Sequence, residues 1–156
     1  QYFDPELGES YVPYVVETSI GLDRMFLTVL SHAFREEKLE NGESRVVLKI
    51  PAVLAPIKAA ILPLTKKDGM PEKAREIMKS LQIDFNCQYE EKDSIGKRYR
   101  RQDAIGTPYC ITVDHQTLED NTVTLRDRDT MEQERVLIEK LHSIIAKKVN
   151  IAKYLS

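Results

Sequence analysis

The chain has 156 residues, about one domain by length, with 23 Lys plus Arg against 25 Asp plus Glu and a formal net charge of -2. Apolar residues at 42% and charged residues at 31% describe a packed core under a charged surface, which excludes a disordered chain. No apolar run approaches the roughly 20 residues of a membrane-spanning helix, and near-neutral charge excludes wholesale coating of nucleic acid while leaving room for a local basic patch.

The chain opens on Gln1-Tyr2-Phe3-Asp4, without an initiator methionine and without the basic and apolar regions of a secretory signal. The expectation is a cytosolic protein, and a piece of something longer. Residues 11–17 are β-branched and aromatic and predict a strand. Gly21 breaks that run, and Leu22, Met25, Phe26, Val29, Leu30, Ala33 and Phe34 then recur at helical spacing. Residues 36–45 are polar, contain Asn41-Gly42 and read as an exposed linker. The composition shift divides the chain into residues 1–36, a linker over 37–46, and a domain over 47–156. Pieces below about 40 residues rarely bury a core of their own, so the first helix needs a partner for its apolar face.

From Val46 onward strands alternate with helices. Residues 58–64 (KAAILPL) predict a buried first strand, and Pro71 suits the start of a helix with Ala74, Ile77, Met78 and Leu81 on one side. Residues 85–89 predict a second strand and residues 94–105 a basic helix. Residues 109–114 and 121–126 alternate and predict a hairpin across 115–120. Thr130 and Gln133 fit a capping box opening a last helix, with Val136, Leu137, Leu141, Ile144 and Ile145 towards the core. The fold class that follows is α/β, a mixed βαβ-type sheet flanked by helices and preceded by a strand–helix remnant. Cys87 and Cys110 lie in strand-like runs and read as buried free thiols.

Two segments offer chemistry. Glu17 closes the first strand, Gly21 frees the backbone and Arg24 stands in the first helical turn. The three suit an ammonium group, a close ligand and a phosphate respectively, and a local Glu17–Arg24 ion pair is the plainer alternative. Further on, Lys97, Arg98, Arg100 and Arg101 interleave with Tyr99, which suits phosphate contacts and the stacking of an unpaired base. A solvated helix face balanced by Glu90, Glu91 and Asp93 is the alternative. Arg126-Asp127-Arg128-Asp129 reads as a surface ion-pair ladder. Phe34-Arg35-Glu36-Glu37 matches a synthetase FRxE signature only superficially, because it ends a helix. His32, His115 and His142 are scattered, and no triad, acid/base pair, P-loop or metal-ligand cluster can be assembled.

Taken together, two long stretches carry a resemblance. Residues 13–24 (PYVVETSIGLDR) resemble motif 3 of class II aminoacyl-tRNA synthetases in the form found in the glycyl-tRNA synthetase family. Leu54-Ala55-Pro56, residues 96–103 (GKRYRRQD), Ile105-Gly106-Thr107-Pro108 and residues 123–128 (VTLRDR) resemble that family's C-terminal anticodon-binding domain. The resemblance implies a parent enzyme that attaches glycine to its tRNA through glycyl-adenylate, using ATP and Mg2+, as a cytoplasmic homodimer. It implies that Gly21, Leu22, Asp23 and Arg24 line the ATP site, with Arg24 on the adenine face and γ-phosphate. It implies that Glu17, Thr18, Ser19, Ile20 and Gly21 line the glycine pocket, with Glu17 holding the ammonium group. A pocket with no spare volume rejects every larger amino acid by overlap. Motif 1 and a credible motif 2 are missing, so the chain alone is expected neither to activate glycine nor to bind these cofactors stably. The RNA face is assigned by charge and position to Lys97, Arg98, Arg100, Arg101, Arg126 and Arg128. One rival reading is a stand-alone accessory or regulatory RNA-binding module, and another is an α/β interaction domain with no RNA role.

Overall fold

The computed structural model describes residues 1–39 and 42–155, excepting the side chains of 153 and 154. It begins with a small antiparallel pair, β1 (Tyr2–Asp4) and β2 (Glu9–Tyr11). The strand expected over 11–17 stops at Tyr11, and residues 12–20 take no regular structure. A strand is held by ladder hydrogen bonds, and no other described strand pairs with this segment. Helix α1 (Leu22–Ala33) follows as the spacing predicts, yet of its residues only Ala33 is buried.

Residues 36–45, expected to be a loop, include strand at 36–38 and at 44–45. β3 (Phe34–Lys38) continues α1 without a break and pairs antiparallel with β4 (Ser44–Leu48), Glu37 standing opposite Arg45. The polar run Arg35-Glu36-Glu37-Lys38 conceals this strand because its pairing is supported by charge across the hairpin instead of apolar alternation. Asn41 of the expected turn lies outside the described residues. Lys49 donates its amide to the Ala33 carbonyl at 2.7 Å, and Ala33, Ile50 and Ala55 bury together, so α1, the hairpin and the following segment form one arm.

β5 (Ala59–Pro63) is buried at every position, as a central parallel strand covered on both faces must be. Helix α2 (Met70–Leu81) takes Pro71 in its first turn and buries Met70, Pro71, Ala74, Ile77 and Leu81. β6 (Cys87–Tyr89) then pairs parallel with one side of β5. Helix α3 (Ile95–Ile105) leads to β7 (Tyr109–Val113), parallel with β5's other side. The expected hairpin is present as β7 and β8 (Thr122–Asp127), antiparallel, with the short helix α4 (His115–Asp120) at its tip. The chain's capping box is here: Asp114 Oδ1 accepts from the Thr117 amide at 3.1 Å, and the Asp114 amide donates to the Thr117 hydroxyl at 3.0 Å.

The last helix starts later than expected. Thr130 belongs to a turn in which Asp127 Oδ1 accepts from the amides of Asp129 and Thr130 at 2.7 and 3.3 Å. Gln133 opens β9 (Gln133–Leu137), which pairs antiparallel with β8. Pairing along β8 satisfies an edge that would otherwise stand open, and this outweighs the helical reading of Val136 and Leu137. Helix α5 (Leu141–Val149) then buries Leu141 and Ile145.

The sheet order is β6-β5-β7-β8-β9, a mixed sheet flanked by helices, in agreement with the expected α/β class. Ala59 and Ile61 pack with α2 and α5, whereas Ala60, Leu62 and Cys110 pack with Ile95 and Tyr99 of α3. The end of α3 presses on the arm. A Cβ on Gly106, whose φ is 84°, would stand 2.8 Å from Ile50 Cγ2 and 3.0 Å from the Leu48 carbonyl oxygen. Only glycine fits there. Among the described residues no helix is long and apolar enough to cross a membrane.

Candidate nucleic-acid interface

Open α/β sheets bind ligands outside the carboxyl ends of their parallel strands. Here those ends are Pro63 of β5, Tyr89 of β6 and Val113 of β7. Arg98 fixes the start of α3 beside them. Its Nη1 donates to the Pro63 carbonyl at 2.6 Å and the Glu90 carbonyl at 3.3 Å, and its Nη2 to the Leu64 carbonyl at 3.3 Å. The side chain is buried, its Nε has no partner among the described residues, and desolvation lowers its pKa below the usual arginine value. Arg98 is a clamp on the strand end, turned away from solvent.

The outer side of α3 is different. Lys97 is exposed, and among the described residues it joins no ion pair. Arg101 is held by two carboxylates: its Nε donates to Glu90 Oε1 at 2.6 Å and its Nη1 to Asp93 Oδ2 at 2.9 Å. The bond to Glu90, then that to Asp93, raises its pKa further. Arg100 reaches Glu43 at 3.2 Å. Beneath them lies a polar group that the sequence reading missed. Gln102 Oε1 accepts from the Thr107 hydroxyl at 2.7 Å, and its Nε2 lies 3.4 Å from both Gln88 Oε1 and Glu90 Oε2. Gln102 is 1% exposed with both ends of its amide engaged, so it holds the strand end from beneath, while half-buried Gln88 and Glu90 offer the donor and acceptor groups that can read base edges. Of the three, Glu90 is signalled by the polar run that follows β6, whereas Gln88 stands inside β6 and Gln102 inside α3.

Of the six cations assigned to the RNA face, the structure thus brings Lys97, Arg100 and Arg101 to the outside of α3 and buries Arg98, Arg126 and Arg128. Arg126 grips both oxygens of the fully buried Asp103, at 2.8 and 3.0 Å, with its guanidinium 4.8 Å above the Tyr99 ring. Arg128 donates to the Gly106 carbonyl at 2.8 Å and pairs with Asp129 at 2.8 Å. Arg126 and Arg128 are therefore buried, with Asp127 and Asp129 only partly so, in place of the surface ladder that alternating signs suggest. Tyr99 is no free stacking platform either, since its hydroxyl bonds Thr112 Oγ1 at 2.6 Å and its ring packs against the sheet. Tyr89, at the end of β6, hydrogen-bonds Glu91 and lies under Arg75 at 4.6 Å; burial, then that bond, pushes its pKa up to about 12.

The other expected site is more open. Gly21 caps α1 at φ -77°, a conformation available to any residue, and the Arg24 side chain folds back so that a Cβ on Gly21 would meet its Cδ at 3.8 Å. The structure brings Gly21, Leu22, Asp23 and Arg24 into one turn. Glu17, Thr18, Ser19 and Ile20 precede it in extended, irregular chain, and every residue from 17 to 24 is exposed. Among the described ion pairs none joins Glu17 to Arg24. The cysteines are free, as expected, and desolvation pushes the Cys87 thiol up to about 11 and Cys110 up to about 12, so both stay protonated at neutral pH.

Comparison with known proteins gives these residues a setting. Residues 58–148 match the family described as anticodon binding domain. The chain is 55% identical over 148 residues to the glycine–tRNA ligase of Clostridium tetani, covering 95% of this chain and 32% of that protein. It is 52% identical over 145 residues to that of Borrelia hermsii, covering 93% of this chain and 33% of that protein. The chain thus spans about a third of the length of these relatives. In fold it resembles the crystal structure of the RNA binding domain of threonyl-tRNA synthetase from Cryptosporidium parvum, with a TM-score of 0.58 and 24% identity over 64% of this chain and 25% of that one. The kinship read from residues 96–103 and 123–128 is borne out: with more than half of its 156 residues inside the match, the chain belongs to the anticodon binding domain family.

Proposed function

We propose that this chain is the tRNA-reading, C-terminal part of a glycine–tRNA ligase, and that its RNA surface is the carboxyl end of β6 with the outer face of α3. One observation carries the assignment of the surface: half-exposed Arg101 meets the half-buried polar groups of Gln88 and Glu90 at one strand end, with exposed Lys97 one helical turn before Arg101 on α3. Unpaired anticodon bases can be splayed there, with the cations on phosphates and Gln88 and Glu90 on base edges. Arg98 fixes the strand end from below, while Arg126 and Arg128 hold α3 from inside through Asp103 and Gly106.

In the parent enzyme glycine and ATP give glycyl-adenylate and pyrophosphate, and a tRNA terminal hydroxyl then takes the glycyl group as an ester while AMP leaves. In this reading Glu17 holds the glycine ammonium, Thr18, Ser19, Ile20 and Gly21 close the space beyond its Cα, and Arg24 with Gly21, Leu22 and Asp23 lies on ATP. The exposure of residues 17–24 and of the α1 face bearing Leu22, Met25 and Phe26 suits an edge that the rest of a catalytic domain covers. Catalysis there is clamping and alignment, which asks for no covalent enzyme group. Magnesium is assigned no ligand, as no group of three or more His, Cys, Asp or Glu gathers among the described residues. Cytoplasmic location and a dimeric parent belong to the same reading.

The test is binding of the glycine tRNA anticodon stem-loop at several salt concentrations. Replacing Lys97 and Arg101 together by alanine should weaken binding and reduce the slope of log K against log salt by about 1 to 1.5, the share of two phosphates on a single strand. Equal affinity for a stem-loop with a scrambled anticodon, or an unchanged slope, would sink the assignment.

A further inference from the structure

Helix α3 has two working faces. Lys97 and Arg101 point one of them at the carboxyl end of β6, while Arg100, Asp103 and Gly106, three residues apart, lie against the arm. Asp103 is the centre of that second face. Its side chain is fully buried, with Arg126 of β8 on both oxygens and Arg45 of β4 on Oδ2 at 3.0 Å. Arg45 is itself 2% exposed. Its Nη1 also donates to the Arg128 carbonyl at 3.0 Å, and its Nε holds Glu37 across the hairpin at 2.8 Å. One carboxylate on α3 therefore joins the sheet to the arm, and the arm runs through β3 directly into α1 and residues 17–24.

A buried carboxylate between two guanidiniums tolerates little displacement, because losing either partner leaves an uncompensated charge away from water. Packing gives the same constraint, since Gly106 lies close against Leu48 and Ile50. Excursions of α3 must carry the arm with them, and anything that quiets α3 quiets the arm. We propose that Asp103 is a positioning residue that couples the RNA-facing side of α3 to the α1–β3–β4 arm, so that RNA held at Lys97 and Arg101 stiffens the arm bearing residues 17–24. The proposal rests on the RNA-binding reading above.

Amide hydrogen exchange on this chain, with and without the glycine tRNA anticodon stem-loop, tests it. In the wild-type chain, RNA should slow exchange in β3, β4 and the end of α1 by about fivefold or more, the lower range of measured site-to-site couplings. Asp103→Asn keeps the shape of the side chain, and Arg45→Lys keeps the charge while losing the forked reach. Either should leave RNA affinity unchanged while removing the RNA-dependent slowing in the arm, each variant being compared with and without RNA so that its own lower stability cancels. If Asp103→Asn does not fold, Arg45→Lys decides. Slowing that survives in a folded variant overturns the proposal, as does RNA that protects α3 in the wild-type chain without slowing the arm. Absence of RNA binding by the wild-type chain is a different failure: it removes the RNA-binding reading and this coupling with it.

Discussion

Asp114 follows β7 as the cap of α4, and its one carboxylate serves both Thr117 and Arg135. Oδ1 accepts from the Thr117 amide and hydroxyl, both at 3.1 Å, and from Arg135 Nη2 at 2.8 Å, while Oδ2 faces Arg135 Nη1 at 2.5 Å. The Arg135 guanidinium, followed by the Thr117 donors, holds its pKa at about 2, below the ordinary value of 3.8. A depressed carboxylate contributes stability that is complete above its unfolded pKa and is lost as pH falls towards the folded one. Here that is about 2 kcal/mol, present at neutral pH and fading from about pH 4 to pH 2. Asparagine caps a helix about as well as aspartate. Asp114→Asn should therefore cost about 2 kcal/mol in urea denaturation at pH 7 and little near pH 2. At this scale the sequence was a partial guide. It identified the arginines, but an arginine's type does not say whether its guanidinium meets water. The deciding partner of Arg126 stands 23 residues away and that of Arg45 stands 58 away. Such pairings become visible only once the sheet brings them together.

The elements themselves were more legible. β5, α2, β7 and β8 follow from apolar runs, helical spacing and alternation, since each buries its apolar side against an element of the same domain, whereas α3 was legible as a basic run and buries Arg98, Gln102 and Asp103. Those misread are the ones whose pairing is not written in apolar residues. β3 is a strand because β4 lies beside it, and β9 because β8 has a second edge. The converse holds for residues 12–17, where strand-forming side chains find no ladder. Helix α1 sits between these cases: its spacing is amphipathic, yet Leu22, Met25, Phe26 and Leu27 are exposed. Its apolar face thus adds little to the stability of this chain. Phe26→Lys should change the unfolding free energy by no more than about 0.5 kcal/mol. Leu141→Ala, which empties a site 1% exposed beneath the sheet, should cost about 3 kcal/mol. Denaturant titration of the two variants side by side tests the contrast.

For the molecule as a whole, the two candidate sites are unequally finished. The α3 surface has its supporting network inside this chain, whereas residues 17–24 have no opposing wall among the described residues. Holding an adenylate needs groups on several sides of it. The purified chain should accordingly give no glycine-dependent ATP–pyrophosphate exchange above background, while still binding the anticodon stem-loop. Measurable exchange would mean that the wall is supplied from within these residues after all.

The buried pairing of Arg45 with Asp103 also sets an order of events during synthesis. Arg45 leaves the ribosome 58 residues ahead of the carboxylate that finally buries it, an interval of about 3 to 12 s at ordinary elongation rates. Glu37 is only 8 residues away, and it is already present when Arg45 emerges. The hairpin can therefore close on its own ion pair, keeping the guanidinium occupied until α3 arrives. Glu37 is then a placeholder in time as well as a neighbour in space, and the arm is made before the surface against which it will rest.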